Sequence, residues 1–418
     1  MFKNKVAIYY PWDNFDTVPS LYNAAQLLAY EGYLVDIYTL SSRAYRLPNF
    51  NTDKISLKLL NHESRFDRWL EQTINAFPSG GLAGVFRKGC QAVLYINNML
   101  DLVASLKRLK TEITSLGHPN SYLCFIAVDP KGLIQTEYLV KENEIPVIYY
   151  SLELLISDEL NSRREHKLKE QEIRLSQKAK HVIIQDLERA DILANDNQIS
   201  RDKFILVPNA PIGNAKRERS HYWHKRFELP LDTKIVLYSG SLGSWTGTDK
   251  IVSSVSKWPD NWVLVVHTRF DSTQSAEVKR LQSLATPNKV FFSLNPVSNE
   301  QYIKILDGAD IGIAFYIPDT SSTYTQKNIQ SIGYSSGKIA YYLHSGLPVI
   351  VNDFSSIGEK LQREGCGIMV KDGSEIHMAI CGIEQNYTEY SQNARRFFDQ
   401  HLEYERNFKK VIEKIKTI

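Results

Sequence analysis

The sequence is poor in cysteine and in net charge. Its 418 residues include 4 cysteines, which stand far apart and form no CxxC pair. Neither a disulfide framework nor a zinc site built from paired cysteines is therefore indicated. The excess of basic over acidic residues is only +3, too small to indicate a nucleic-acid-binding surface. We expect reduced thiols in the core and no nucleic-acid partner.

Long hydrophobic segments are also missing. The most apolar window, residues 90–106, is interrupted by Asn97, Asn98 and Asp101. Because no run of about 18 uncharged apolar residues occurs, the sequence predicts no membrane-spanning helix. The first residues enter a strand-like run directly, without the apolar stretch and cleavage site of a signal peptide. We expect a cytoplasmic protein.

Short runs of apolar, β-branched and aromatic residues recur between helical patterns. In the first half they cover residues 5–10, 34–40, 122–128, 146–151, 181–186 and 204–209. In the second half they cover residues 234–240, 262–268, 290–294, 311–316, 348–353 and 367–370. Because these runs are continuous rather than alternating, they indicate parallel strands that helices cover on both faces. The predicted fold class is α/β, with doubly wound sheets.

The chain has more residues than one hydrophobic core ordinarily serves, so we expect two domains. A turn-rich, basic stretch over residues 208–226 separates the two halves. We place the boundary near residue 215, which gives an N-terminal domain of residues 1–215 and a C-terminal domain of residues 216–418. The last segment, residues 390–418, has the pattern of one long charged helix that could pack back onto the first domain.

Residues 335–350, with the sequence SSGKIAYYLHSGLPVI, are the most informative segment. Ser335 or Ser336 can cap a helix, and Gly337 allows a ligand to approach the backbone. Lys338 adds a positive charge at the first helical turn. The free N–H groups and positive end of such a helix favour an anion. The segment is typical of a phosphate site, although an ordinary helix start in an α/β protein would have the same pattern.

Three segments together resemble a known family, the GT-B glycosyltransferases, and in particular their large retaining group. Residues 182–210 resemble the strand, helix and PN turn before the interdomain linker. Residues 236–243 resemble the glycine loop that opens the donor domain, and residues 335–350 resemble the segment that holds donor phosphates and ribose. The resemblance implies two Rossmann-like domains facing a cleft. It also implies an N-terminal acceptor domain, a C-terminal nucleotide-sugar domain and no cofactor besides the donor itself.

This resemblance also implies a set of donor-binding residues. They are Gly240, Ser241, Gly243, Arg269, Val297, Ser335, Ser336, Gly337, Lys338 and Tyr341. For the glycine loop the alternative is a flexible strand-to-helix connection, and for Arg269 it is a surface arginine beside the loop. Two departures from the family pattern concern charge. Ser241 and Thr246 replace a frequent Arg and Lys, while Gly333 and Tyr341 stand where glutamates are expected.

Two carboxylates of the first domain, Asp129 and Glu153, directly follow strand-like runs and should face the cleft. Either could orient or deprotonate an acceptor hydroxyl. The alternatives are a helix N-cap for Asp129 and a solvated helix residue for Glu153. No Asp-x-Asp motif argues for a metal site. The resemblance instead implies that helix N-termini and basic side chains stabilise the leaving diphosphate.

Residues 81–110 combine apolar and basic side chains in an amphipathic pattern. They could contact the inner face of a membrane, or bury their apolar face within their own domain. The leading hypothesis is transfer of a sugar from a nucleotide donor to a saccharide or glycolipid hydroxyl, with retention, in glycan or polysaccharide biosynthesis. Two alternatives remain. The missing glutamates and arginine leave open a non-catalytic GT-B binding module, and the shared architecture leaves open a sugar-nucleotide epimerase.

Overall fold

The structure is a computed structural model of the chain. It describes residues 4–41, 48–60, 73–74, 81–116, 122–268, 275–295, 297, 299–318, 326–353 and 356–418. Two parallel sheets, each covered by helices, make up this part of the chain. The predicted residue Arg269 lies outside the described residues.

The first sheet has seven parallel strands, in the order β3-β2-β1-β4-β5-β6-β7. They are β1 Lys5–Tyr9, β2 Leu34–Thr39, β3 Ile55–Leu59, β4 Cys124–Val128, β5 Val147–Tyr150, β6 His181–Ile184 and β7 Phe204–Leu206. Six of them fall within the predicted runs. The exception is β3, an edge strand without a fully buried side chain, so it lacks the continuous apolar run of the central strands.

The second sheet has six parallel strands, in the order β10-β9-β8-β11-β12-β13. They are β8 Lys234–Ser239, β9 Trp262–His267, β10 Val290–Ser293, β11 Ile311–Ala314, β12 Val349–Asn352 and β13 Gly367–Val370. All six fall within the predicted runs. The two parallel sheets confirm the predicted fold class.

Helices cover both faces of each sheet. In the first half they are α1 Pro19–Tyr30, α2 Gly81–Leu116, α3 Asp129–Val140, α4 Arg163–Ser176 and α5 Leu187–Asn197. In the second half they are α6 Tyr222–Phe227, α7 Thr248–Ser254, α8 Ala276–Leu284, α9 Asn299–Asp307, α10 Lys327–Gln330, α11 Gly337–His344, α12 Ser356–Arg363, α13 Ile376–Gln385, α14 Tyr387–Phe397 and α15 Tyr404–Lys416. Among the described helices, none is long and apolar enough to cross a membrane.

Alternate residues of the central strands pack into different cores. In β1, Val6 belongs to the core on one face of the sheet and Ala7 to the core on the other. In β8, Leu237 and Val236 are divided in the same way. Both faces of these strands are therefore buried, which is why their sequences read as continuous apolar runs.

The C-terminal segment differs from the predicted single helix over residues 390–418. Helix α14 ends at Phe397, a π-helical turn follows, and α15 begins at Tyr404. The break occurs at Glu403, whose carboxylate accepts hydrogen bonds from the backbone N–H groups of Glu405 and Arg406. This N-cap starts a new helix in a new direction. Helix α15 then buries apolar side chains, among them Phe408, in the core of the first domain.

Candidate active site

A cleft of about 2130 Å³ lies between the two sheets. Each sheet changes the direction of its connections between two central strands, β1 and β4 in the first and β8 and β11 in the second. Ligands of doubly wound sheets bind outside the carboxyl ends of such strands. The cleft wall accordingly contains Tyr10, Asp129, Gly240 and Tyr316, which follow these four strands.

Most of the predicted site residues lie together in this cleft. They are Asp129, Glu153, Gly240, Ser241, Val297, Ser335, Ser336, Gly337, Lys338 and Tyr341. Gly243 is not part of the wall, because the Trp245 ring stands over it and would lie 3.1 Å from a Cβ at this position. Trp245 itself lines the cleft.

Helix α11 presents its N-terminus to the cleft. Ser336 caps the helix, since its Oγ accepts a hydrogen bond of 3.2 Å from the backbone N–H of Ile339. The Tyr316 hydroxyl contacts the same Oγ and fixes the cap. Gly337 begins the helix and lines the cleft, so backbone N–H groups and the positive end of the helix dipole are available to an anion there.

Lys338 lies in the first turn of α11 and is buried in the cleft wall. Its ammonium stands 4.1 Å from the centroid of the Tyr238 ring and 5.1 Å from that of Tyr316. Among the described residues it has no hydrogen-bond partner. Burial disfavours the charged lysine, but Tyr238 and Tyr316 act in the opposite sense and the net shift of its pKa is upward. A protonated ammonium therefore lies in the cleft wall against two tyrosine rings, with no carboxylate paired to it among the described residues.

Gly240 makes room for this lysine. A Cβ at position 240 would lie 2.9 Å from Cε of Lys338, closer than side-chain atoms pack. The glycine loop and α11 thus meet at the ammonium group. Tyr341, one turn further along α11, packs edge-to-face against Tyr302 at a centroid distance of 5.3 Å. Two aromatic rings therefore line the part of the wall where the family carries a glutamate.

Asp129 occupies a strained and buried position. Its φ of 57° lies in the left-handed region, which is unfavourable for a residue other than glycine. One carboxylate oxygen accepts hydrogen bonds from the backbone N–H groups of Leu152 and Glu153, at 2.8 and 3.1 Å. Burial and the nearby Glu153 carboxylate raise the pKa of Asp129 to about 7. Asp129 is the first residue of α3, and Val128 rather than Asp129 is its N-cap.

Glu153 lies in the turn after β5, not in a helix, and its side chain is exposed to the cleft. Its carboxylate accepts a hydrogen bond from the Asn328 side-chain amide of the second domain. The side-chain amide oxygen Oδ1 of Asn328 in turn accepts a bond of 3.2 Å from the backbone N–H of Leu154. This amide therefore orients the Glu153 carboxylate from across the domain interface.

Two further residues join the domains behind the site, and neither was among the predicted site residues. Arg189 is buried and donates to the backbone carbonyls of Leu152, Asn328 and Ser331. Asp186 accepts a bond of 2.8 Å from the backbone N–H of Tyr334. Its carboxylate fills the space in which a side chain at Gly333 would stand. A carboxylate of the first domain thus lies beside the position of one expected glutamate.

Within the described part of the chain, no group of three or more His, Cys, Asp or Glu side chains is arranged to hold a metal ion. The basic and dipolar groups around α11 are the electrophilic elements of the cleft.

The fold matches those of GT-B glycosyltransferases of known structure. Sucrose-phosphate synthase from Thermosynechococcus elongatus is 13% identical, with a TM-score of 0.69 over 99% of each chain. HepE of Anabaena, solved in complex with UDP-glucose, is 13% identical, with a TM-score of 0.68 over 99% of this chain and 100% of HepE. WaaG, a glycosyltransferase involved in lipopolysaccharide biosynthesis, is 12% identical, with a TM-score of 0.61 over 97% and 98%. These similarities confirm the predicted GT-B architecture.

A family model adds a more specific similarity for the C-terminal part. Residues 264–415 match the glucosyltransferase 3-like C-terminal domain. The matched region includes α11 with Lys338 and the helix break at Glu403. No curated protein matches the chain.

Proposed function

We propose that this protein is a glycosyltransferase that moves a sugar from a nucleotide-sugar donor to a hydroxyl of a saccharide or glycolipid. The GT-B fold and the family-model match over the donor side of the cleft support this function. The reaction proceeds with retention and without a bound metal, as in the retaining group that the donor segment resembles, and serves glycan or polysaccharide biosynthesis. HepE, which was solved with UDP-glucose and also with UDP, suggests these two as the first ligands to test.

The observation that carries the proposal is the buried ammonium of Lys338, which contacts the Tyr238 and Tyr316 rings but forms no ion pair with a described carboxylate. A buried ammonium without a carboxylate partner is only partly compensated by aromatic rings, so its retention supports a ligand that supplies the opposite charge. The N-terminus of α11 adds free N–H groups at the same place. A diphosphate bound there would be stabilised as its bond to the sugar breaks, which is the role that a metal ion plays in other transferases.

The two carboxylates of the first domain, Asp129 and Glu153, act on the acceptor in this proposal. Asp129, whose pKa is raised to about 7, can accept a proton from the acceptor hydroxyl near neutral pH. Glu153, held by the Asn328 amide, orients the acceptor or donor hydroxyls. The non-catalytic alternative would retain nucleotide binding but show no turnover.

Titration calorimetry with UDP, GDP and ADP, followed by a transfer assay on an acceptor panel, tests the proposal. Lys338→Met should weaken diphosphate binding by about 1 to 3 kcal/mol, the scale of a charge-assisted contact. Lys360→Met is the matched control, because Lys360 also stands over a tyrosine ring, at 5.1 Å, but does not line the cleft. Absence of binding by the wild-type protein would exclude the transferase. NMR of the product anomer tests retention, and activity in EDTA tests metal independence.

Peripheral membrane contact through residues 81–110 is a separate proposal about the acceptor. Helix α2 exposes Val85, Phe86 and Val93 close to Lys88, as membrane-surface helices do. Sedimentation with phosphatidylglycerol vesicles should capture the wild-type protein and capture less of a Val85→Ser/Phe86→Ser variant. Equal recovery of both proteins in the supernatant would exclude this contact.

A further inference from the structure

Four basic side chains line the wall of the cleft that belongs to the first domain. Lys131 lies in the first turn of α3, and Arg163, Arg164 and Lys167 lie in the first two turns of α4, which packs against α3. The three α4 side chains are exposed, whereas Lys131 is half-buried. We call these four residues the basic cluster. It faces a cleft whose phosphate-binding elements, α11 and Lys338, belong to the other domain.

The basic cluster has no ion-pair partner within 4 Å among the described residues. The Lys131 ammonium contacts the Pro11 carbonyl, at 3.3 Å, and the Trp12 ring, at 4.4 Å from its centroid. The nearest carboxylate on α4, that of Glu165, accepts hydrogen bonds from the backbone N–H of Asn161 and the Ser162 hydroxyl. It therefore serves the helix cap.

Two carboxylates of the cleft, those of Asp129 and Glu153, have hydrogen-bond partners of their own. Asp129 holds the backbone N–H groups of the turn after β5, and Glu153 accepts from the Asn328 amide. The negative charge of Asp13 raises the pKa of Lys131. This effect is smaller than the lowering of the pKa by burial. Among the described residues, no carboxylate thus pairs with the basic cluster within 4 Å.

Folding does not favour this arrangement. Arg163 and Arg164 occupy the first two positions of α4, where the positive end of the helix dipole repels cations. Burial and the nearby Arg164 guanidinium lower the pKa of Lys131, which shows that two like charges stand close together. Residues that destabilise the fold locally and line a cleft indicate a ligand whose negative charge offsets their repulsion.

We propose that the basic cluster binds an oxyanion on the acceptor, so that the acceptor is an anionic saccharide carrying a phosphate ester or a carboxylate. The inference rests on the proposed function, because it assigns the first-domain side of the cleft to the acceptor. The donor diphosphate is accounted for by Lys338 and α11 on the opposite domain. Trp12, which is exposed beneath Lys131, offers the apolar face against which a sugar ring packs.

Calorimetry on the UDP-saturated protein tests the proposal with three probes: glucose 6-phosphate, glucuronic acid and uncharged glucose. At least one charged sugar should bind more tightly than glucose, and the preferred one identifies the anion. In the Arg163→Gln/Arg164→Gln/Lys167→Gln variant its affinity should fall by about 10-fold or more, as expected for charge-assisted contacts. Arg174→Gln, an exposed position near the end of the same helix and outside the cleft lining, is the control for a general change of charge.

The triple variant should keep its affinity for UDP and melt at the same temperature as the wild type or higher, because it removes cations from a helix N-terminus. Equal or absent binding of the charged sugars relative to glucose would overturn the proposal. So would a triple variant that loses UDP rather than the charged sugar, since the cluster would then bind the donor. Failure of the proposed function is a different result, the absence of UDP binding to the wild-type protein.

Discussion

Replacing Asp129 by asparagine separates the charge of this carboxyl from its hydrogen bonds. The asparagine oxygen can still accept from the two backbone N–H groups that Asp129 binds. What the substitution removes is the ability to titrate. The pKa of Asp129 rises from its ordinary 3.8 to about 7 on folding, so between these pH values the folded protein retains a proton that the unfolded chain releases.

The sign of the effect follows from this difference in bound protons. Because the folded state binds more protons, the contribution of Asp129 lowers the free energy of unfolding as the pH rises from about 4 to about 7. The pKa shift corresponds to a decrease of about 4 kcal/mol in the free energy of unfolding, which is complete at pH 8. The variant should therefore match the wild type at pH 4 and exceed its stability by about 4 kcal/mol at pH 8.

Urea unfolding at pH 4.5, 6 and 8 measures this difference directly. Asp232→Asn, at an exposed position, serves as a control and should show no comparable trend. If Asp129 is the base, the stabilised variant should also lose transfer rate by about 10²- to 10⁴-fold. A stability difference independent of pH would refute the argument from burial. Full transfer activity in the variant would remove Asp129 from the base role.

Three further substitutions test contacts around the site. Gly240→Ala should displace the Lys338 ammonium, because its Cβ would lie 2.9 Å from Cε, and weaken UDP binding in calorimetry by about 10-fold; unchanged affinity would contradict this. Gly333→Ala, at a φ of 39° and against the Asp186 carboxylate, should lower the free energy of unfolding by about 1 to 3 kcal/mol in urea. Arg189→Met removes the guanidinium that donates to three backbone carbonyls and should lower the free energy of unfolding by about 3 to 5 kcal/mol. A smaller decrease than in Gly333→Ala would show that water replaces the guanidinium as donor.

The fold could be predicted from the sequence because both sheets are buried on both faces. Burial on both faces produces continuous apolar runs, and twelve such runs mark twelve of the thirteen described strands. Strand β3 was not predicted, because it lies at the edge of the sheet and none of its side chains is fully buried. The helix break at Glu403 was not predicted, because the apolar pattern of a helix continues on both sides of it. A single carboxylate, which caps the second helix, starts the new direction of the chain.

The site was predictable where its residues directly follow strands. Asp129 and Gly240 directly follow strands, and parallel topology alone brings such positions to one edge of the sheet. Lys338 was predicted from the helix-start pattern of residues 335–350 instead. Arg189 and Asn328 were not predicted, since their contacts join segments 139 residues apart across the domain interface. The available signal was weak: an arginine within the first turns of a helix whose other buried residues are mostly apolar.

The return of α15 to the first domain makes the second domain an insertion into the first. The chain leaves the first domain after β7 and re-enters it at Tyr404, whose backbone N–H approaches the Pro211 carbonyl at 3.4 Å. Nearby, the Gly213 N–H donates to the Glu403 carboxylate at 2.9 Å. The two crossings thus run side by side. A chimera designed to exchange the second domain therefore needs two junctions, near residues 212 and 403. A single junction at the linker would remove part of the core of the first domain.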